Sequence, residues 1–214
     1  MSAPSPSRRA LLAAPLLLAA PPAFAQGRPK TKVVTVLGDS ITAGYGLSRA
    51  AAFPAQLQAE LARLGAPAQV RAAGVSGDTT AGGLARVDFS VRADTDVAVV
   101  ALGANDLLQG QDPKRTRANL DGIIRKLKAR KMAVVLTGIE APVEVGGGYA
   151  RDFNTVFPAL ARAHGVAFYP NLLAGVARIP SLNQPDGIHP NARGAAIIAR
   201  RLAPIVAKAL AARR

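Results

Sequence analysis

Ser40, Asp186 and His189 are the residue types in this chain that together carry out nucleophilic catalysis. A serine hydroxyl is a poor nucleophile until an imidazole takes its proton, and the imidazole needs a partner on its other nitrogen to fix its tautomer. His189 and Asp186 supply that pair, three positions apart through Gly187, with Pro190 stiffening the next step of the chain. Acyl transfer also needs donors aimed at the oxygen that becomes negative, each worth about 3 kcal/mol of barrier. The backbone N–H groups of Ser40 and Gly77 and the side-chain amide of Asn105 are the candidates, and Gly77 has no Cβ to keep a substrate away. Each residue also has a plainer reading. Ser40 suits a helix cap, Asp186 and His189 a surface hydrogen-bonded pair, Gly77 a turn and Asn105 a loop cap. His164, before Gly165 at the end of a predicted helix, has no such partners and simply suits the helix dipole.

What would bring these residues together is the alternation of strands and helices around them. The stretch Val33-Val34-Thr35-Val36-Leu37 reads as a buried parallel strand, and Gly38 lets the chain turn before Ser40 opens the next element. A helix is expected over 50–64 and a second strand over 68–72, leading into the glycine-bearing loop of Gly77. Another helix comes next over 80–91, then a third strand over 96–102 that ends in Gly103-Ala104-Asn105-Asp106. Asp112-Pro113 caps a basic helix running to about 131, and residues 132–137 form the fourth strand. A helix over 149–164, kinked or restarted at Pro158, precedes a short fifth strand over 166–169 and a closing helix over 191–211. Five alternations imply an α/β fold, a parallel sheet with helices on both faces, and in such a sheet the strand ends gather on one rim.

The mature composition supports one domain and excludes several functions. Half of the 214 residues are apolar, enough for a sizeable core. Cysteine is absent, which rules out disulfides, thiolate metal sites and a cysteine nucleophile. Two histidines leave little material for a metal centre, so neither metal nor cofactor is expected. Residues 1–25 carry Arg8-Arg9, an apolar run from Ala10 to Ala20 and Ala23-Phe24-Ala25, the pattern of a signal peptide cleaved after Ala25. Residues 26–214 would then form the domain, in the periplasm or secreted, by the general or the twin-arginine route. Cleavage leaves 25 basic against 13 acidic residues, a formal +12. Lys114, Arg115, Arg117, Arg125, Lys126, Lys128, Arg130 and Lys131 crowd one helix and read as a solvated face. With aromatics at 4% and none interleaved among the basic runs, nucleic acid is not an expected partner. A weak attraction to an anionic membrane surface is, and the chain is expected to be a monomer.

Four blocks carry a resemblance: Gly38-Asp39-Ser40-Ile41, Val75-Ser76-Gly77-Asp78-Thr79, Gly103-Ala104-Asn105-Asp106 and Asp186-Gly187-Ile188-His189-Pro190. Together they resemble the SGNH, or GDSL, hydrolases, most of all the bacterial periplasmic thioesterase I, lysophospholipase and arylesterase group, over about residues 32–211. The resemblance implies a flavodoxin-like three-layer α/β/α fold with a five-stranded parallel sheet. It also implies Ser40 as nucleophile, His189 as base and then acid, Asp186 as its orienting carboxylate, and Ser40, Gly77 and Asn105 as the oxyanion hole. Asp39, Asp78 and Asp106 are then loop supports, and the substrate is a small-molecule or lipid acyl ester. A carbohydrate O-acetylesterase, or a binding module of the same fold without chemistry, are the alternatives. One departure is Ala72, where the family often has Asn and an amide hydrogen bond near the site. Loop 139–148, with apolar Ile139, Ala141, Pro142, Val143 and Val145 before three glycines, reads equally as a lid over an acyl chain or as an exposed connection.

Overall fold

The computed structural model describes residues 1–2 and 31–213, so the expected export segment lies, beyond its first two residues, outside the described residues. Five parallel strands form one sheet in the order β2-β1-β3-β4-β5: β1 Lys32–Gly38, β2 Ala68–Gly74, β3 Val97–Ala101, β4 Ala133–Thr137 and β5 Ala167–Tyr169. Valine dominates the central strands, and every residue of β3 is buried, as the continuous apolar run requires of a strand covered on both faces.

The placement of the helices is set by this order. From β1 the chain first moves outward to β2 through α1 Ser40–Ala43 and α2 Phe53–Arg63. It then returns past β1 to β3 through α3 Thr80–Ser90. Because crossovers between parallel strands keep one hand, that change of direction moves the connecting helices to the opposite face. Accordingly α2 packs beside α7 Ala192–Ala211 on one face. On the other, α5 Pro113–Ala129 lies between α3 and α6 Gly147–His164. This is the expected three-layer α/β/α arrangement. The reversal point lies between β1 and β3, where open α/β sheets bind ligands at the carboxyl ends.

Two features refine the expectation. Of a kink or a restart at Pro158, the restart does not occur: helix α6 runs through the proline, because Phe153, Val156, Phe157, Leu160 and Ala161 bury a continuous stripe on both sides of it, and that packing outweighs one missing hydrogen bond. A short helix, α4 Ala104–Leu108, comes after β3 in place of the expected plain loop. It is too brief to show a period in the sequence.

Sterics at the end of β1 are severe. A Cβ on Gly38 would lie 2.1 Å from the Thr42 hydroxyl and 2.9 Å from the Ala101 carbonyl oxygen. A Cβ on Gly74, its neighbour in β2, would lie 2.3 Å from the Ala43 nitrogen. The turn that carries Ser40 is therefore seated directly on the end of β2, with its Thr42 side chain over Gly38 at the end of β1. Gly38→Ala is expected to destabilise the protein by about 1–3 kcal/mol, the usual cost of forcing a methyl group into filled space. Chemical denaturation of the variant measures this, and a change within error would show that the seat is looser than described.

Candidate active site

The turn after β1 is built around Asp39. Its carboxylate accepts the Ile41 N–H at 3.0 Å and its carbonyl accepts the Ala43 N–H at 2.9 Å, so Asp39 is the cap of α1 and Ser40 its first residue. The capping role open to Ser40 in the sequence is thus filled by its neighbour, and the serine hydroxyl is free for another partner.

That partner arrives from the far end of the chain. Ser40 Oγ lies 2.9 Å from His189 Nε2, and His189 Nδ1 lies 2.6 Å from Asp186 Oδ2. Gly187, at φ +70°, makes the turn that folds Asp186 back on the ring. The other carboxylate oxygen, Oδ1, accepts the backbone N–H groups of Ile188 at 2.9 Å and His189 at 3.0 Å. The His189 N–H, then the imidazole, then the Ile188 N–H hold the Asp186 carboxyl down at about 2. An ionised carboxylate at Nδ1 keeps a proton on that nitrogen, and Nε2 then faces the serine hydroxyl as an acceptor. Gln184 clamps the loop. Its backbone N–H reaches the His189 carbonyl at 2.7 Å, and its side-chain amide reaches the carbonyls of Tyr45 at 2.8 Å and Pro190 at 3.1 Å. The Tyr45 ring covers the imidazole, with centroids 4.5 Å apart.

The donor side comes from β2 and β3. Gly77, at φ +83°, occupies an exposed turn. Among the described residues the N–H groups of Ser40 and Gly77 donate to no protein acceptor. Asn105 donates one amide hydrogen to the Asp78 carbonyl at 2.9 Å, which ties α4 to the Gly77 turn. Asp106, buried beside it, accepts the Thr80 N–H at 2.8 Å and the Thr116 hydroxyl at 3.2 Å, fixing the start of α3 against α5. Asp39, Asp78 and Asp106 all support loops by such contacts, as read from the sequence.

A model of the GDSL-like lipase/acylhydrolase family matches residues 36–197. The chain belongs to that family. Esterase TesA of Pseudomonas aeruginosa is 38% identical over 160 residues, which cover 74% of this chain and 80% of that one. Thioesterase 1/protease 1/lysophospholipase L1 of Escherichia coli K12 is 35% identical over 176 residues, 80% of this chain and 83% of that one. The crystal structure of TesA superposes with a TM-score of 0.78 at 34% identity, covering 83% of this chain and 99% of the other.

Elsewhere on the rim of this acylhydrolase, the loop after β4 divides into two parts. Ile139 and Ala141 are buried and so line no open groove, and the Asn154 amide brackets Ala141, accepting its N–H at 2.7 Å and donating to its carbonyl at 3.0 Å. Val143 and Val145 are exposed on a single 3-10 turn, and Gly147 and Gly148 begin α6 rather than extend the loop. Of the three glycines expected to form a hinge, Gly146 alone stands outside the helix, at φ +104°. His164 closes α6 with its Nε2 2.7 Å from Asp121 of α5, on the side of the sheet away from this rim. Ala72 is exposed on the edge strand.

Burial pushes the Asp39 carboxyl up to about 6, partly offset by the Ile41 N–H bond. Between the unfolded value of 3.8 and that folded value the native state holds the proton and the unfolded chain does not. The contribution is therefore fully present below the unfolded value and lost as pH rises through about 6, which makes wild-type stability fall across that window. Asp39→Asn keeps an oxygen for Ile41 and removes the titration. Its stability relative to wild type is expected to rise by about 2–3 kcal/mol between pH ~4 and pH ~7, at 1.36 kcal/mol per unit. Denaturant titrations at the two pH values test this, and parallel curves for both proteins would contradict it.

Proposed function

We propose that this acylhydrolase hydrolyses carboxylic esters and thioesters of acyl chains by a serine mechanism. The observation that carries the reading is the continuous chain from Ser40 Oγ through His189 to Asp186, at 2.9 and 2.6 Å. His189 Nε2 takes the hydroxyl proton as Oγ attacks the ester carbonyl. The resulting oxyanion is held by the N–H groups of Ser40 and Gly77 and by the second amide hydrogen of Asn105. The imidazolium returns its proton to the leaving alcohol or thiol, and the C–O or C–S bond breaks to leave an acyl group on Ser40. Water then enters, gives its proton to His189 and releases the acid by the same steps in reverse order. Asp186 stays ionised throughout, holding the ring and stabilising its charged form.

Exposed apolar side chains around the rim support an acyl substrate. Tyr45, Val75, Leu108, Val143, Ile179 and Ile188 stand in the loops and short helical turns that come after the five strands; Leu64 and Phe89 are exposed on other elements. Esters, acyl thioesters and lysophospholipids are the classes proposed, in keeping with the names of the relatives. We further propose that residues 1–25 direct export and are removed after Ala25, which N-terminal sequencing of the protein recovered outside the cytoplasm would test.

Ser40→Ala is expected to abolish ester hydrolysis and labelling by a fluorophosphonate while leaving the melting temperature close to wild type. A labelled, active variant would overturn the mechanism. Turnover is expected to fall by about 10⁶-fold in His189→Ala and by about 10⁴-fold in Asp186→Asn, since a proton acceptor is harder to replace than an orienting group. Equal losses would give Asp186 a larger role than orientation. Asn105→Ala is expected to lower kcat by about 10²- to 10³-fold with KM little changed, because its amide acts on the oxyanion and not on the resting carbonyl. A loss confined to KM would move Asn105 to ground-state binding. An activity panel of p-nitrophenyl, acyl-thioester, lysophospholipid and acetylated-sugar substrates distinguishes the acyl reading from carbohydrate deacetylation.

A further inference from the structure

Arg86, on α3, takes no part in the steps of hydrolysis, yet its guanidinium joins the elements that carry them. Nε donates to Asp78 Oδ2 at 2.6 Å, Nη2 to the Gly38 carbonyl at 2.8 Å, and Nη1 to the Ala73 carbonyl at 2.9 Å and the Ser90 hydroxyl at 3.1 Å. Gly38 ends β1 two residues before Ser40. Ala73 is the last residue but one of β2, which ends at Gly74. Asp78 comes directly after Gly77, and its carbonyl accepts the Asn105 amide. One planar group thus contacts the end of the nucleophile's strand, the end of the neighbouring strand and the turn of the second oxyanion donor.

We propose that Arg86 is a positioning residue that fixes the spacing of the oxyanion hole, an inference that rests on the serine mechanism proposed for this site. Two further observations support it. The Gly77 turn is exposed at Val75, Ser76 and Gly77, no atom beyond its chain neighbours lies within 4 Å of where a Gly77 Cβ would be, and its other ties are single bonds: Val75 N–H to the Gly38 carbonyl and Asp78 N–H to the Val75 carbonyl, each at 3.1 Å, and the Asn105 amide to the Asp78 carbonyl at 2.9 Å. The arginine, in contrast, is well shielded, with 18% of its side chain exposed and 15% of that of Asp78, so the pair is held in a setting where water competes poorly. At Ala72 of β2 no side-chain amide is available, and the Arg86 bond to the adjacent Ala73 carbonyl links this strand end to the Gly77 turn.

Lysine cannot replace this geometry, since its ammonium is a single point with three donors and cannot reach a carboxylate and two strand-end carbonyls as a rigid fork does. The test is Arg86→Lys and Arg86→Gln, measured for kcat per titrated active site, for KM with a p-nitrophenyl ester and for melting temperature. Both variants are expected to lose about tenfold to a hundredfold in kcat per titrated site, the scale of an ångström of misplacement, with KM within about twofold. The rate of fluorophosphonate labelling should fall with kcat, because the phosphonyl oxygen occupies the same hole. Ser90→Ala removes the one Arg86 contact that leads away from the site and is expected to keep wild-type turnover. Overturning results are an unchanged kcat per titrated site with fewer active molecules, which would make Arg86 merely a stabiliser of the fold, or an equal loss in Ser90→Ala, which would assign the effect to α3 packing. Wild-type hydrolysis together with loss in Ser40→Ala tests the mechanism separately, so failure of one does not read as failure of the other.

Discussion

Space at the carboxyl end of β1 is the constraint on which the rest depends. The turn from Asp39 to Ala43 sits on the ends of β1 and β2 so closely that neither Gly38 nor Gly74 has room for a side chain. With no slack there, the backbone that carries Ser40 has a fixed seat on the sheet, and the loops that meet the serine must be built to it. Asp39 supplies the cap that lets the turn form, although burial works against its charge, so the turn that carries the serine is also a point where stability is given up at neutral pH. This fits the general pattern in which functional positions violate local rules that the remainder of the fold obeys.

The same strand order sets the electrostatics. Each long helix runs from the rim back across the sheet, so helix amino ends gather near Ser40 and carboxyl ends gather on the opposite side. The basic side chains in the last turns, such as Arg63, Lys126, Lys128, Arg162 and Lys208, meet those carboxyl ends. These five basic side chains are placed where helix dipoles favour them, away from the rim, whereas Lys114, Arg115 and Arg193 stand in the first turns of α5 and α7.

How much of the molecule is legible in its sequence depends on distance along the chain. The strands β1, β3 and β4 announce themselves through β-branched runs, and the polar blocks can be assigned to one rim because each comes after a strand or in the last loop. Asp186 and His189 form a local turn, so their pairing is written in adjacent residues. Gln184, Tyr45 and Arg86 carry no such signal because their work is done through backbone carbonyls and a ring face, up to 139 positions away in the case of Gln184 and Tyr45. A side chain that binds a distant carbonyl leaves no spacing rule behind. Loop 139–148 is only partly legible for a related reason: glycines at the start of a helix and glycines in a hinge look alike until the packing of Ala141 and Asn154 is known.

The bond between Ser40 and His189 spans 149 positions, and the imidazole stands just before the last helix, α7. On the proposed mechanism the serine therefore has no base until the final quarter of the polypeptide has been made and has docked. A nascent chain, or one cut short before His189, holds its hydroxyl beside nothing that can take the proton. Synthesis of the chain through His189 is in this sense the step that supplies the base.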